Sequence, residues 1–202
     1  MFEPTVLETS LVKLTPMTLD HLREFRLAGN YPEVWQHMPM NRCETDELAM
    51  AWMSDAINDM NNGKQLAFVT LDKKTNQVIG STRFIRQDRE HRKLEIGYTF
   101  ITPKFQRSYV NSHAKFLMLQ HAFEQLGIAR VEICTHENNQ QSRTAIARIG
   151  GKFEGILRKH RRSPNGEYRN TAMFSIIDEQ WPEVKKRLLN TGNTVEEFFH
   201  VP

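Results

Sequence analysis

Leu94, Ile96, Tyr98 and Phe100 alternate with Glu95, Gly97 and Thr99, a period of two that predicts a strand over 93–101. After the Thr102-Pro103 break the period changes. Leu119, Ala122, Phe123 and Leu126 recur at helical spacing, which predicts a helix over 111–126 ended by Gly127. Upstream, the pattern gives a first strand over 7–14. A helix carrying Leu19, Leu22 and Phe25 follows, with Thr18 or Asp20 as its cap. An irregular stretch with Pro32 and Pro39 covers 30–42, and a second helix begins at Thr45 and stops at Asn62-Gly63. Strands over 66–71 and 78–85 flank the polar turn 72–76. Downstream come a short strand at 131–134 and a helix over 142–149. Strands over 153–157 and 171–177 then pair across Ser163-Pro164-Asn165-Gly166, and a closing helix covers 181–189.

The strands between 66 and 101 are expected to run antiparallel, and a helical crossover then delivers a parallel neighbour at Val131. The fold class expected is α/β (α+β), with a mixed, mainly antiparallel central sheet flanked by helices. Residues 1–190 form the single domain and 191–202 a loosely held tail.

Composition narrows the function. With 202 residues, 39% apolar and 25% charged, the chain can bury one substantial core without disulfides. A net charge of +3 suits an anionic ligand but is too mild to argue for nucleic acid. No apolar run approaches the roughly 18 residues of a membrane span, and the opening Met-Phe-Glu-Pro-Thr lacks the features of a secretory signal. Neither nucleic acid nor membrane is therefore an expected partner. Cys43 and Cys134 are too few for a disulfide framework, which points to a reduced, cytoplasmic setting. The eight histidines show no metal-ligand spacing, so no metal is expected. The oligomeric state stays open, a homodimer included.

The chemistry concentrates in Gln106, Arg107, Ser108, Tyr109, Val110, Asn111 and Ser112. A strand ending in a tight loop that feeds a helix N-terminus aims several backbone N–H groups at one point, where they and the helix dipole favour phosphate. Arg107 can add a charge-assisted bond. Glu95 lies one strand-length upstream, and Asn139-x-x-Ser142 opens a later helix. The pattern suggests an enzyme that holds a phosphate-bearing cofactor beside a carboxylate.

The segments 95–106, 139–142 and 149–155, in this order, resemble the GNAT N-acetyltransferase superfamily, and within it the RimJ/RimL-like branch. The resemblance spans nearly the whole chain. It implies acetyl-coenzyme A as donor and a small-molecule or peptide amine as acceptor. The family's phosphate loop usually reads Gln/Arg-x-x-Gly-x-Gly/Ala, whereas here Tyr109 and Asn111 occupy the small positions. The expectation is that the loop keeps helical dihedrals and Tyr109 points away.

Glu95 matches the family's strand carboxylate and is the candidate base. By alternation it lies on the face opposite Ile96, Tyr98 and Phe100. The competing reading is a strand Glu paired with Arg92 or Lys93. By resemblance, backbone groups of Phe100 and Ile101 pair with the pantetheine arm, and Asn139 bonds it or positions the acceptor. Ser142 matches a hydroxyl near the cofactor sulfur and is also read as the N-cap of its helix. The run 158–162, Arg-Lys-His-Arg-Arg, reads as a solvent-facing strand end, with contact to an anionic substrate or the cofactor's ribose phosphate left open, and Cys134 as buried packing. The acceptor is expected between 30–60 and 158–169. Trp35, Met38 and Trp52 would form its walls, and Glu33, Glu44 and Asp46 would attract a cationic amine. The alternative reading is a non-catalytic coenzyme A-binding sensor on the same fold.

Overall fold

The computed structural model describes residues 2–38, 40–162 and 166–190. Eight strands form one sheet in the order β1-β2-β3-β4-β5-β6-β8-β7. They are β1 (Leu7–Glu8), β2 (Val12–Pro16), β3 (Leu66–Asp72), β4 (Gln77–Asp88), β5 (Lys93–Ile101), β6 (Arg130–His136), β7 (Lys152–Arg162) and β8 (Tyr168–Ile177). Every pairing is antiparallel except β5 with β6. The helices are α1 (Leu22–Gly29), α2 (Pro32–Trp35), α3 (Asp46–Asn61), α4 (Tyr109–Gln120), α5 (Gln140–Arg148) and α6 (Trp181–Asn190). The expected fold class and the parallel crossover are both present.

Two buried clusters flank the sheet. Leu94 and Ile96 of β5 pack with Phe116, Leu119 and Trp181 from α4 and α6. Phe100 of the same strand packs instead with Phe25, Trp35 and Met53, from α1, α2 and α3. Burial of this kind stabilises by about 25 cal/mol per Å² of apolar surface removed from water.

Several elements differ from the sequence reading. The strand expected over 7–14 is a hairpin, because Thr9 Oγ1 accepts from Val12 N at 3.1 Å and turns the chain back. The stretch 30–42 holds α2, which Pro32 opens from its first turn. The helix expected from 111 starts at Tyr109, capped by Ser108, and ends in a π-turn over His121–Gln125. β7 and β8 run longer than expected, while Ser163-Pro164-Asn165 and the tail 191–202 lie outside the described residues. His113 anchors α4 to the first hairpin, its Nδ1 2.8 Å from Thr9 Oγ1. Burial pushes its pKa down to about 4, so it packs as a neutral ring.

Gly80 decides how closely β4 approaches β5. A Cβ there would lie 2.4 Å from the Phe100 carbonyl oxygen and 3.3 Å from Ile101 Cα. Both are backbone atoms that cannot swing aside. Gly80→Ala is expected to destabilise by about 1–3 kcal/mol, measured by urea unfolding, and to spread the strands where the site below is built.

Candidate active site

The β5–β6 ladder runs from Lys93↔Arg130 to Ile96↔Ile133 and stops there. Beyond it the strands part around a cavity of about 380 Å³, lined on β5 by Glu95 to Phe100 and on β6 by Ile133 to His136. A bulge accompanies the opening. Pairing with β4 skips from Arg83↔Gly97 to Ser81↔Phe100, so Tyr98 and Thr99 oppose Thr82 alone. Tyr98 takes φ 50°, a conformation uncommon for any residue but glycine. Its ring packs edge-on against Trp52 at 5.2 Å, and the buried Arg83 guanidinium lies 4.6 Å from Trp52 and 4.9 Å from Tyr98. The bulge also overturns one expectation. Simple alternation fails beyond Gly97, and Phe100 joins the cluster opposite to that of Ile96.

Glu95 is 3% exposed and both its oxygens are engaged, by Arg86 Nη1 at 2.8 Å and Arg161 Nη2 at 3.1 Å. These partners replace the Arg92 or Lys93 of the sequence reading. Two more bulges aim them. Arg86 has φ 53° where the β4–β5 register shifts, and Lys159 has φ 50° where β7 slips between Leu157 and Arg161. Asn170 Oδ1 accepts from Lys159 N at 2.8 Å and pins that slip. Arg161 and Arg162 consequently reach the cavity, while Arg158, Lys159 and His160 are exposed as the solvent-facing reading expects.

In the loop 106–112 the left-handed residue is Arg107, with φ 58°. Tyr109 and Asn111 keep negative φ, and the Tyr109 hydroxyl donates to Asp72 Oδ1 at 2.6 Å, away from the loop mouth. The left-handed turn is thus made at 107, two residues before Tyr109. Gln106 ties the loop to both neighbours: its Nε2 donates to the Ile101 carbonyl at 3.0 Å and its Oε1 accepts from Gln141 at 2.9 Å. Of the loop only Asn111 lines the cavity, and Val110 is wholly buried.

Asn139 and Ser142 also line the cavity, as Phe100 does; Ile101 does not. The cap of α5 is Asn139, whose Oδ1 accepts from Ser142 N at 3.0 Å. Ser142, expected as the cap, is instead in the first turn, and its hydroxyl is freed from the capping role. Cys134 lies on the wall, and burial, followed by the Glu95 charge, pushes its thiol up to about 12, far from the thiolate a nucleophile needs. Trp35, Met38 and Trp52 line the cavity as expected, whereas Glu33, Glu44 and Asp46 do not.

Lys115 was missed. It lies on α4, 4% exposed, lining the cavity with its Nζ donating to Thr99 Oγ1 at 3.0 Å and Thr82 Oγ1 at 3.5 Å. Burial alone lowers its pKa to about 7. Its signal was a single charge inside the apolar run 114–119, where solvated lysines are rare.

A family model described as the acetyltransferase (GNAT) domain matches residues 12–152. The chain belongs to the GNAT acetyltransferases. The uncharacterized N-acetyltransferase YoaA of Bacillus subtilis is 23% identical over 172 residues, covering 85% of this GNAT chain and 96% of YoaA. A GCN5-related N-acetyltransferase from Brucella melitensis superposes with TM-score 0.85 at 30% identity, over 92% of this chain and 84% of its own. RimJ of Mycobacterium smegmatis, solved with CoA-disulfide, shares the fold with TM-score 0.80 at 19% identity, over 94% and 95% of the two chains. A GNAT enzyme transfers an acyl group from acetyl-coenzyme A, and the residues here fit that donor. Beyond Ile96↔Ile133 the edge of 97–99 has no ladder partner on β6, and Ser108 caps the α4 N-terminus, whose amides could hold a phosphate. Among the described residues no group of His, Cys, Asp or Glu is arranged to hold a metal, and no helix is long and apolar enough to cross a membrane.

Proposed function

We propose that this chain is an N-acetyltransferase that passes an acetyl group directly to a primary amine, with Glu95 drawing off the amine's proton. What carries the reading is a buried carboxylate at the point where the β5–β6 ladder opens. Amines of pKa about 8 to 10 are protonated at neutral pH and need a base before they attack. An ionised carboxylate has about four lone-pair sites, and the two guanidiniums leave room for a third donor on Glu95.

When bound, acetyl-coenzyme A supplies the carbonyl carbon to which the amine nitrogen bonds as the carbon–sulfur bond breaks and the thiol leaves. The chain's part is to hold and polarise. Backbone donors of the Tyr98 bulge and Lys115 Nζ, which line the cavity, would stabilise the negative charge that develops on the carbonyl oxygen, donors in such a role contributing about 3 kcal/mol. Ser142 and Asn139 line the cavity, where the hydroxyl would supply a proton donor to the departing sulfur and Asn139 would hold the arm. The loop 106–112 would hold the diphosphate chiefly through main-chain amides, since Gln106 is turned to the Ile101 carbonyl and Tyr109 to Asp72. With Cys134 held as a thiol, direct transfer is favoured over an acyl-cysteine route.

The test is free-thiol release on mixing with acetyl-coenzyme A and a panel of peptide N-termini, polyamines and free amino compounds. Saturable, acceptor-dependent release is expected. Tight donor binding with no release across the panel would return the chain to the sensor reading.

A further inference from the structure

The cavity carries positive charge that its own wall does not neutralise. Arg42, Lys115, Arg161, Arg162 and Arg169 line it, against Glu95 as the one carboxylate among the described lining residues. Glu95 is already committed to Arg86 and Arg161. No ion pair among the described residues engages Arg42 or Arg169, and Arg161 Nε is buried without a hydrogen-bond partner. The groups repel one another. Arg169 has its pKa lowered by burial and then by the Arg161 charge, and His37 by burial and then by His136 and Arg169. Half-buried guanidiniums short of counter-charge are costly to gather, yet the fold fixes them: Arg169 donates to the His37 carbonyl at 3.3 Å, and the Lys159 slip directs Arg161 inward.

These residues come from 37–42 and 161–169, the acceptor side of the cleft, whereas the diphosphate loop lies at 106–112. We propose that the acceptor is an amine bearing its own carboxylate or phosphate, the anion held by Arg42, Arg169 and the unused edge of Arg161 while the nitrogen reaches Glu95. The proposal rests on the transferase reading of this same cavity. Guanidinium matches either anion through paired N–H donors. A diamine or polyamine would add cationic charge to a wall that already has too much. The acids expected to attract such a substrate lie elsewhere, Asp46 being paired with Arg26 at 3.0 Å.

The experiment compares kcat/KM for matched acceptors: amino acids against their amides, amino-sugar phosphates against the free amino sugars, and spermidine. The anionic member of at least one pair is expected to be favoured by roughly tenfold or more, the worth of one charge-assisted contact, and the favoured pair tells carboxylate from phosphate. Arg169→Gln should shrink that ratio to about threefold or less. Neutral members used equally well or better in both pairs, or spermidine used better than every anionic acceptor, would overturn the proposal, as would an unchanged ratio in the variant. Should no acceptor release thiol, the transferase reading fails by itself, and the anion site is then read from melting temperature in saturating coenzyme A. A rise with the anionic member only, lost in Arg169→Gln, sustains the site; equal shifts for both members overturn it.

Discussion

Glu95→Gln is expected to turn over its acceptor roughly tenfold or more slowly than wild type, with the Kd for acetyl-coenzyme A within about twofold. The amide keeps the shape of the carboxylate but accepts no proton. It also presents an NH₂ group to either Arg86 or Arg161, where an oxygen now accepts at 2.8 or 3.1 Å. Arg86 is 53% and Arg161 24% exposed, so water compensates part of the lost anion, but removing it still costs about 1–3 kcal/mol and the melting temperature has to be followed with the rate. A purely structural Glu95 would give a weakened protein whose surviving folded fraction works at the wild-type rate. A base gives folded enzyme that remains slow even with the donor site saturated and recovers as pH rises, because free amine then forms without help.

Lys115→Met should move stability and activity in opposite directions. The wild-type ammonium is buried with two hydroxyls and no carboxylate beside it, so folding works against its charged form. The sign follows from the lowered pKa, about 7 in the fold against the ordinary 10.5 of a lysine in water. Between these values the unfolded chain binds more protons, so wild-type stability rises with pH across that window. The methionine variant is accordingly more stable by about 1–4 kcal/mol at pH 7 and below. Its advantage shrinks as pH rises toward 10.5. Thermal unfolding at pH 6, 8 and 10 reads this directly. Turnover should fall roughly tenfold, since the donor near Thr99 is gone. A variant that is less stable at pH 6, or fully active, would remove Lys115 from the site.

The order of elements was legible because periodicity reports burial, and burial built them: the alternation in 93–101 and the helical stripe at 119–126 both survive as β5 and α4 with its π-turn. The site was only half legible, and the reason is local. Arg86, Tyr98, Arg107 and Lys159 all take positive φ without being glycine. A glycine in a strand advertises a bulge, but these residues advertise nothing. Each nevertheless re-aims its neighbours: Arg86 and Arg161 onto Glu95, Phe100 to the other face, and the loop turn to position 107. The partners of Glu95 and the charge of the cavity therefore emerge only from three-dimensional register. Asn139 and Ser142 exchanged the capping role for a related reason. Either residue type caps a helix well, and the bond from Ser142 N to Asn139 Oδ1 settles which one does.

Titration calorimetry of the folded protein with acetyl-coenzyme A measures whether the gap beyond Ile96↔Ile133 receives the donor. Saturable heat at one molecule per chain, abolished or weakened at least about tenfold in Gly80→Ala, is the expected result. No heat with either acetylated or free coenzyme A, on protein whose melting transition is intact, would contradict it.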